Sequence, residues 1–263
     1  MTTVTDYQQI SRNLDKSIGR IATRADVKRE SEYYLSHITK VTSADELLKD
    51  DRLFNFAMTA FGLKDMIYGK AFMKKVLKEG IDGAKAFAVQ LSDPRFREFA
   101  ETFNFARYGK AATAFTRAQQ GTVDKFLRIT LEDEAGKTDE GVRLALYFKR
   151  KAPGITSVYG LMGDAALYKV VQAALALPSA ASNLDIDKQA AFIKSKIDID
   201  KIKDGTGVDA FLAKFTARWQ MANGAPSATV PHVGLGQDPV TTMDTSSLMA
   251  LQALRGIFLP NYQ

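Results

Sequence analysis

Two histidines, His37 and His232, are the only imidazoles in the chain. A zinc site or a nucleophile–base pair needs converging partners. Neither histidine belongs to an H-x-x-x-H spacing that would set two rings on one helix face. No catalytic or metal role is expected for either, and His37 reads as a partly buried helix residue. Asp198, Asp200 and Asp204-Gly205 have the outline of a calcium loop. Counted from Asp200, such a loop needs oxygen ligands at its third and twelfth positions, where Ile202 and Phe211 stand. These acids are better placed to begin helices, where carboxylates complement the dipole. Gly234-Leu235-Gly236 is half of a dinucleotide fingerprint, but it follows no predicted strand and opens no helix, so it reads as linker.

Basic residues offer a different chemistry. Arg12, Lys16, Arg20, Arg24 and Lys28 recur every fourth residue. On one continuous helix each step advances about 40° round the axis, giving a slowly winding basic stripe. Like charges at this spacing cost a few tenths of a kcal/mol per pair, which Asp15 and Asp26 relieve. The stripe is a candidate docking face for an acidic partner. Nucleic acid is not expected, because no aromatic residues interleave to stack on bases.

The whole chain carries +6 at neutral pH, with lysines and arginines interleaved with acids throughout. That is a diffuse charge, and only a focused one selects nucleic acid. Hydrophobic residues make up 46% and charged residues 25%, the balance of an ordinary globular protein. No apolar run approaches the ~20 residues of a membrane-spanning helix. The polar start, Met1 to Ile10, lacks the apolar core of a cleaved secretory signal. With no cysteine there is neither disulfide framework nor thiolate chemistry. A cytoplasmic location is expected, or export by a flagellar-type route that uses no cleaved signal peptide. No cofactor is expected.

What positions these residues is predicted to be helix throughout. Tyr7, Ile10, Leu14, Ile18 and Ile21 step by three and four along one face, as do Val27, Tyr34 and Ile38. Ser43 and Glu46 form a capping box, and Ser92-Asp93-Pro94 is a strong helix start. Gly80 sits where a helix ending in Val76-Leu77 should stop. The spacing predicts that a helix through Val123, Phe126, Leu127 and Leu131 ends in an acidic loop at 132–136, and that Thr138 caps the next. Further helices are predicted near 165–177, 187–197 and 206–221.

Shifted by 114 residues, the chain matches itself. Tyr33, Thr42, Ser43, Leu47, Asp50, Leu53, Ala60 and Leu63 fall on Tyr147, Thr156, Ser157, Leu161, Asp164, Leu167, Ala174 and Leu177. Average composition gives about two identities over a stretch of that length. The order then persists through loop insertions: Phe72 finds Phe192, and Phe99 with Phe103 find Phe211 with Phe215. The expected fold is therefore all-α, a tandem duplication of a multi-helix unit forming one globular or short solenoid-like body. The expected layout is an N-terminal helix with the basic stripe (1–26), repeat 1 (27–106), connecting helices (107–140), repeat 2 (141–221), a proline- and glycine-rich linker (222–245) and an apolar helix (246–263). In that last helix Leu248, Leu251 and Leu254 step by three, and Phe258 widens the stripe. So short a helix must bury its face to persist, on its own core or by helix-in-groove recognition elsewhere.

Several stretches resemble a known family: DDRLFNFAMTAFGL (50–63), KAFMKKVL (70–77), DPRF (93–96), FNFA (103–106) and EGVRLALYFKR (140–150). They are similar to an alphaproteobacterial family, domain of unknown function 1217, which is linked to flagellar gene clusters. Some of its members are labelled flagellar basal-body rod protein-like. The resemblance implies an all-helical fold and a flagellum-linked setting, and hands over no catalytic residues. The function expected is that of a non-enzymatic flagellum-associated protein, with assembly, export-accessory, structural or regulatory roles, acting through contacts with flagellar or self subunits. Its alternative is an enzyme or small-ligand-binding helical protein whose polar groups converge only in three dimensions. Arg12, Lys16, Arg20, Arg24, Lys28, Leu248, Leu251, Leu254 and Phe258 are the candidate docking residues.

Overall fold

Aspartate and serine side chains start half of the helices among the described residues, and those helices form where the caps stand. In the computed structural model, which describes residues 2–178, 181 and 184–223, no strand occurs among the described residues. Most of the predicted linker and all of the predicted apolar helix, with Leu248, Leu251, Leu254 and Phe258, lie outside them. In chain order the helices are α1 (Thr3–Arg12), α2 (Leu14–Ala22), α3 (Ala25–Ile38), α4 (Ala44–Lys49), α5 (Asp51–Ala60), α6 (Lys70–Glu79), α7 (Phe87–Gln90) and α8 (Pro94–Thr102). They continue with α9 (Phe105–Tyr108), α10 (Gln120–Thr138), α11 (Glu140–Lys151), α12 (Val158–Gly163), α13 (Ala165–Leu175), α14 (Ile186–Lys196), α15 (Ile199–Lys203) and α16 (Val208–Asn223). The chain divides into two compact units. Ile10–Thr138 makes one, and Met1–Gln9 with the chain from Asp139 onward makes the other.

In the unit of Ile10–Thr138, α10 packs against α5, α2 and α3. Tyr34, Phe54, Phe99 and Phe103 are fully buried. Phe56 stacks between Tyr34 (centroids 4.5 Å) and Phe126 (4.0 Å), while Phe61 meets Phe99 edge-on at 5.2 Å, geometries that suit the ring quadrupole. The Tyr34 hydroxyl donates to the Ala118 carbonyl at 2.6 Å, and Thr113 Oγ1 donates to that of Val41 at 2.8 Å. Those two bonds fasten the long stretch before α10 to the core, and each satisfies a buried polar group that would otherwise be costly.

Three local expectations are corrected. The acidic loop predicted at 132–136 is helical, because α10 runs to Thr138. Glu132 is buried and holds Arg128 one turn back at 3.0 Å, so it reads as a core residue with a partner and not as a terminator. Asp139, not Thr138, caps α11 by accepting from the Gly141 N–H at 2.7 Å. The Ser43 cap accepts from Glu46 N–H as expected, but the Glu46 carboxylate reaches Thr42 instead of Ser43, taking its N–H at 2.7 Å and its hydroxyl at 2.9 Å. Those two donors hold the Glu46 carboxyl below its usual range. Asp93 caps α8 as predicted, and Gly80 ends α6 at φ +63°.

In the other unit α16 packs against α13 and α11. Asp139 works twice here, since its second oxygen accepts the Thr3 hydroxyl. The Val4 N–H reaches Gln220 Oε1 at 3.3 Å. These two bonds tie the first residues of the chain to the start of α11 and the end of α16.

The segments related by the 114-residue shift hold the same local geometry. Asp50 caps α5 through the N–H groups of Arg52 and Leu53, and Asp164 caps α13 through those of Ala166 and Leu167. The Tyr33 hydroxyl donates to Asp50 at 3.0 Å and the Tyr147 hydroxyl to Asp164 at 2.6 Å. Ser43 and Ser157 each cap the short helix that follows. Beyond α5 and α13 the chain turns left-handed at Gly62 (φ +71°) and at Ala176 (φ +51°). Leu63 and Leu177 close the turn by bonding back five residues, at 2.8 and 2.9 Å, the Schellman arrangement.

Two substitutions test this packing. A Cβ at Gly141 would lie 2.2 Å from Cδ1 of Trp219, so Gly141→Ala should cost about 1–3 kcal/mol by overpacking. Urea unfolding checks this, with Trp219, the single tryptophan, as the fluorescent probe. Ala176 carries a left-handed strain of about 1–2 kcal/mol that glycine lacks, partly offset by glycine's greater chain entropy. Ala176→Gly should therefore raise stability by up to about 1 kcal/mol in the same assay.

Candidate functional site

The basic stripe is broken into parts. Arg12 ends α1, and the backbone leaves the helical range at Asn13 (φ −122°, ψ 43°). Lys16 and Arg20 ride on α2. Arg24 is extended (ψ 134°) just before α3, which carries Lys28. The predicted single helix is thus three short ones, and the winding face does not form. Arg24 is bound to Asp26 at 2.7 Å and also to Glu134, while Lys28 sits 3.8 Å from Glu32. Arg12, Lys16 and Arg20 remain exposed. His37, on α3, stacks on Tyr33 with centroids 4.0 Å apart, and its Nδ1 lies 2.9 Å from the Tyr33 carbonyl oxygen.

Around Tyr33 the polar side chains do converge. Arg52 lies 3.8 Å from the ring centroid and grips Glu30 through Nε at 2.8 Å and Nη2 at 3.1 Å. The Asp50 carboxylate holds the Tyr33 phenol above its ordinary range. Every member of this cluster is already answered by another. It braces α3 against α5, and its Tyr–Asp bond recurs at Tyr147 and Asp164.

The second unit presents a different feature, an open groove of about 850 Å³. Its sides are the start of α12, the outer face of α14 and the turn into α15. Val158, Ala190 and Ile197 are its buried apolar floor. Ser157 begins α12 by accepting from Gly160 N–H at 3.0 Å, and Asp198 begins α15 by accepting from Asp200 and Lys201 N–H groups. The acids at 198 and 200 therefore serve helix starts, as the sequence predicted. On the rim Tyr159 is 54% exposed, and its hydroxyl donates to Asp187 on α14 at 2.8 Å. Ile186, next to Asp187, is 57% exposed. Lys194 and Lys196 add positive charge beside Asp187, Asp198 and Asp200.

Asp187 raises the Tyr159 phenol above its ordinary value. The phenol donates its hydrogen bond to that carboxylate, which ties α12 to α14 across the groove. The sequence does not signal this groove, because Tyr159 and Asp187 are 28 residues apart. An isolated tyrosine and a helix-start aspartate carry no joint signal until the fold pairs them.

A family model described as "Protein of unknown function (DUF1217)" matches residues 60–208, more than half of the chain. The chain belongs to the DUF1217 family. The family match runs from the end of α5 to the start of α16 and so contains every wall of the groove, whereas Arg12 to Lys28 lie outside it. The DUF1217 chain is also similar to a protein from Agrobacterium tumefaciens known by X-ray crystallography. The two are 45% identical with a TM-score of 0.78, over 84% of this chain and 94% of that one. None of the curated proteins matches the chain. No helix among the described residues is long and apolar enough to cross a membrane.

The Tyr159–Asp187 pair gives a pH signature. A raised folded-state value means that the bond's stabilisation is intact below the ordinary tyrosine value of 10.0 and is lost as pH rises through the raised one. Asp187→Asn should shift one of the nine tyrosines to a lower titration pH. Difference absorbance of the phenolate between variant and parent, recorded from neutral to strongly alkaline pH, checks this.

Proposed function

We propose that this DUF1217 protein is a non-enzymatic, flagellum-associated protein that acts through protein–protein contacts, with the α12–α14–α15 groove as its docking surface. The observation that carries the reading is the exposure of Tyr159 on the rim of an apolar-floored groove, with Ile186 exposed next in sequence to the rim residue Asp187. Exposed aromatic and aliphatic side chains round a desolvatable floor are the material of interface hot spots, and singly exposed large apolar residues would not need such a floor. The flagellar setting rests on the resemblance carried by the motifs at 50–63, 70–77, 93–96, 103–106 and 140–150. Assembly, export support, structural and regulatory roles all suit a helical scaffold that presents such a groove. The exposed Arg12, Lys16 and Arg20 are a second, electrostatic surface that suits an acidic partner.

The recurrence of the Tyr–Asp bond, the two caps and the left-handed turn at a 114-residue spacing supports reading α3–α8 and α11–α16 as two copies of one unit. On that reading the shared features are scaffold. The groove lies on the second copy. A small-molecule reading is favoured by a single observation, a groove volume within the range of ligand clefts. A thermal-shift screen of metabolites separates the two, because a protein-docking groove shows no saturable shift.

Deleting the gene should shrink the swimming halo in soft agar, and the wild-type gene should restore it. Full-length protein carrying Tyr159→Ser and Ile186→Ser should still fold cooperatively, with a melting temperature lowered only by the loss of the exposed Tyr159–Asp187 bond, and fail to restore it. A deletion strain that swims normally with a normal filament would overturn the flagellar reading. Fractionation of the complemented strain into cytoplasm, basal body and medium then places the protein inside or outside the cell.

A further inference from the structure

We infer that the segment between α9 and α10 is a recognition surface for an acidic peptide segment of a partner protein, with the Arg117 guanidinium as its carboxylate-binding group. None of its residues lines the α12–α14–α15 groove, and the inference does not rest on the reading of that groove.

From Gly109 to Ala118 the chain makes two 3₁₀ turns, Gly109–Ala114 and Thr116–Ala118, instead of an α-helix. Its backbone is nevertheless held at several points. Besides the bonds that Thr113 and Tyr34 make to fasten it, Gln119 Nε2 donates to the carbonyls of Thr113 at 2.9 Å and Ala114 at 3.2 Å. Thr122 Oγ1 donates to the Arg117 carbonyl at 3.0 Å. Ala112, Thr113 and Ala118 are buried, while Lys110, Phe115 and Arg117 of the same segment are exposed. A loop fixed in this way loses little freedom when a partner binds.

Its aromatic and basic side chains form one cluster. The Tyr108 and Phe115 rings meet edge-on, with centroids 4.8 Å apart and planes at 66°. The Arg117 guanidinium lies over both rings, 4.6 Å from the Phe115 centroid and 5.1 Å from that of Tyr108. Arg107 adds a second cation over Tyr108 at 5.5 Å. Stacking on rings holds a guanidinium flat and leaves its N–H edges for a planar anion. In the same unit Arg24, Arg29, Arg52, Arg95, Arg107 and Arg128 each meet a carboxylate. Among the described residues no hydrogen bond or ion pair uses the Arg117 guanidinium. Lys110 makes no ion pair there either, and acts on Glu46 only at longer range.

A fork of N–H donors on an aromatic bed matches a carboxylate, which it binds bidentately. Tyrosine, phenylalanine and arginine are also enriched at protein interfaces. Nucleic acid fits less well. Base stacking uses open ring faces, and here guanidinium groups lie over both rings. The segment offers the cations of Arg107, Lys110 and Arg117, and Arg107 already meets Asp82 at 3.4 Å. A phosphate backbone is held by many such charges, each adding to the affinity. A short run of carboxylates needs fewer.

Fluorescence anisotropy on the full chain tests the inference, with a labelled short peptide of alternating glutamate and glycine at low salt. The same peptide with glutamine for glutamate, and an oligothymidylate of equal length, are the comparisons. The glutamate peptide should bind several-fold tighter than the glutamine peptide. Arg117→Gln should remove most of that preference, and Arg117→Lys a large part of it, because an ammonium lacks the planar fork. Arg97→Gln removes an exposed charge from α8 in the same unit and should change binding less than twofold. Circular dichroism should show that all three variants keep the parent's helix content and melt cooperatively. Equal losses in Arg117→Gln and Arg97→Gln would reduce the effect to net charge and overturn the inference. Equal binding of the two peptides by the parent, or undiminished binding by Arg117→Lys, would overturn it as well. An Arg117-dependent preference for the oligothymidylate over the glutamate peptide would replace the acidic peptide with nucleic acid.

Discussion

Much of this molecule's geometry depends on an aspartate doing two things at once. One oxygen of Asp50 takes the orphan N–H groups at the start of α5, and the other takes the Tyr33 hydroxyl from α3. A cap by itself fixes where a helix begins and is worth about 1 kcal/mol. A cap whose second oxygen is held by a neighbouring helix also fixes the position of that start relative to its neighbour. Asp164 performs the same service between α11 and α13. With those starts fixed, buried rings on either side meet in well-defined edge and offset contacts instead of a loose apolar pool.

Local signals in the chain carried most of the fold. Ser43, Asp93 and Gly80 act where their types and neighbours said they would, because capping and left-handed turns are settled within a few residues. The signals failed where the deciding partner is remote or the local pattern is ambiguous. Glu132 to Gly136 looked like an acidic terminator, and only the burial of Glu132 against Arg128 shows why the helix continues. The breaks at Asn13 and Arg24 split an apparently continuous amphipathic pattern, since a three- and four-residue rhythm survives a change of helix as well as it survives within one. The groove was illegible for a further reason. Its rim is a pairing of Tyr159 with Asp187, and neither residue departs from what an exposed helix surface ordinarily carries.

The contrast between the Tyr33 cluster and the groove bears on how sites are recognised in helical proteins. The cluster has the richer chemistry, with an imidazole, a guanidinium, a phenol and two carboxylates in mutual reach. Yet its groups are spent on one another, and saturated polar networks stiffen a fold more than they serve a ligand. The groove has plainer residues, but its apolar floor and exposed rim are not consumed by the fold. Availability, more than chemical variety, separates a surface that can bind from one that only holds.

The division of the chain has a consequence for the order in which the protein comes into being. The unit of Ile10–Thr138 is continuous, whereas the other joins Met1–Gln9 to residues from Asp139 onward. At ribosomal speeds roughly 10 s separate the emergence of Gln9 from that of Asp139. During that interval the first unit has all of its residues, while Thr3 and Val4 wait for Asp139 and Gln220 to be made. Thr3 and Val4 are thus made well before the residues they bond, and the Val4–Gln220 bond cannot form until synthesis has reached the end of α16.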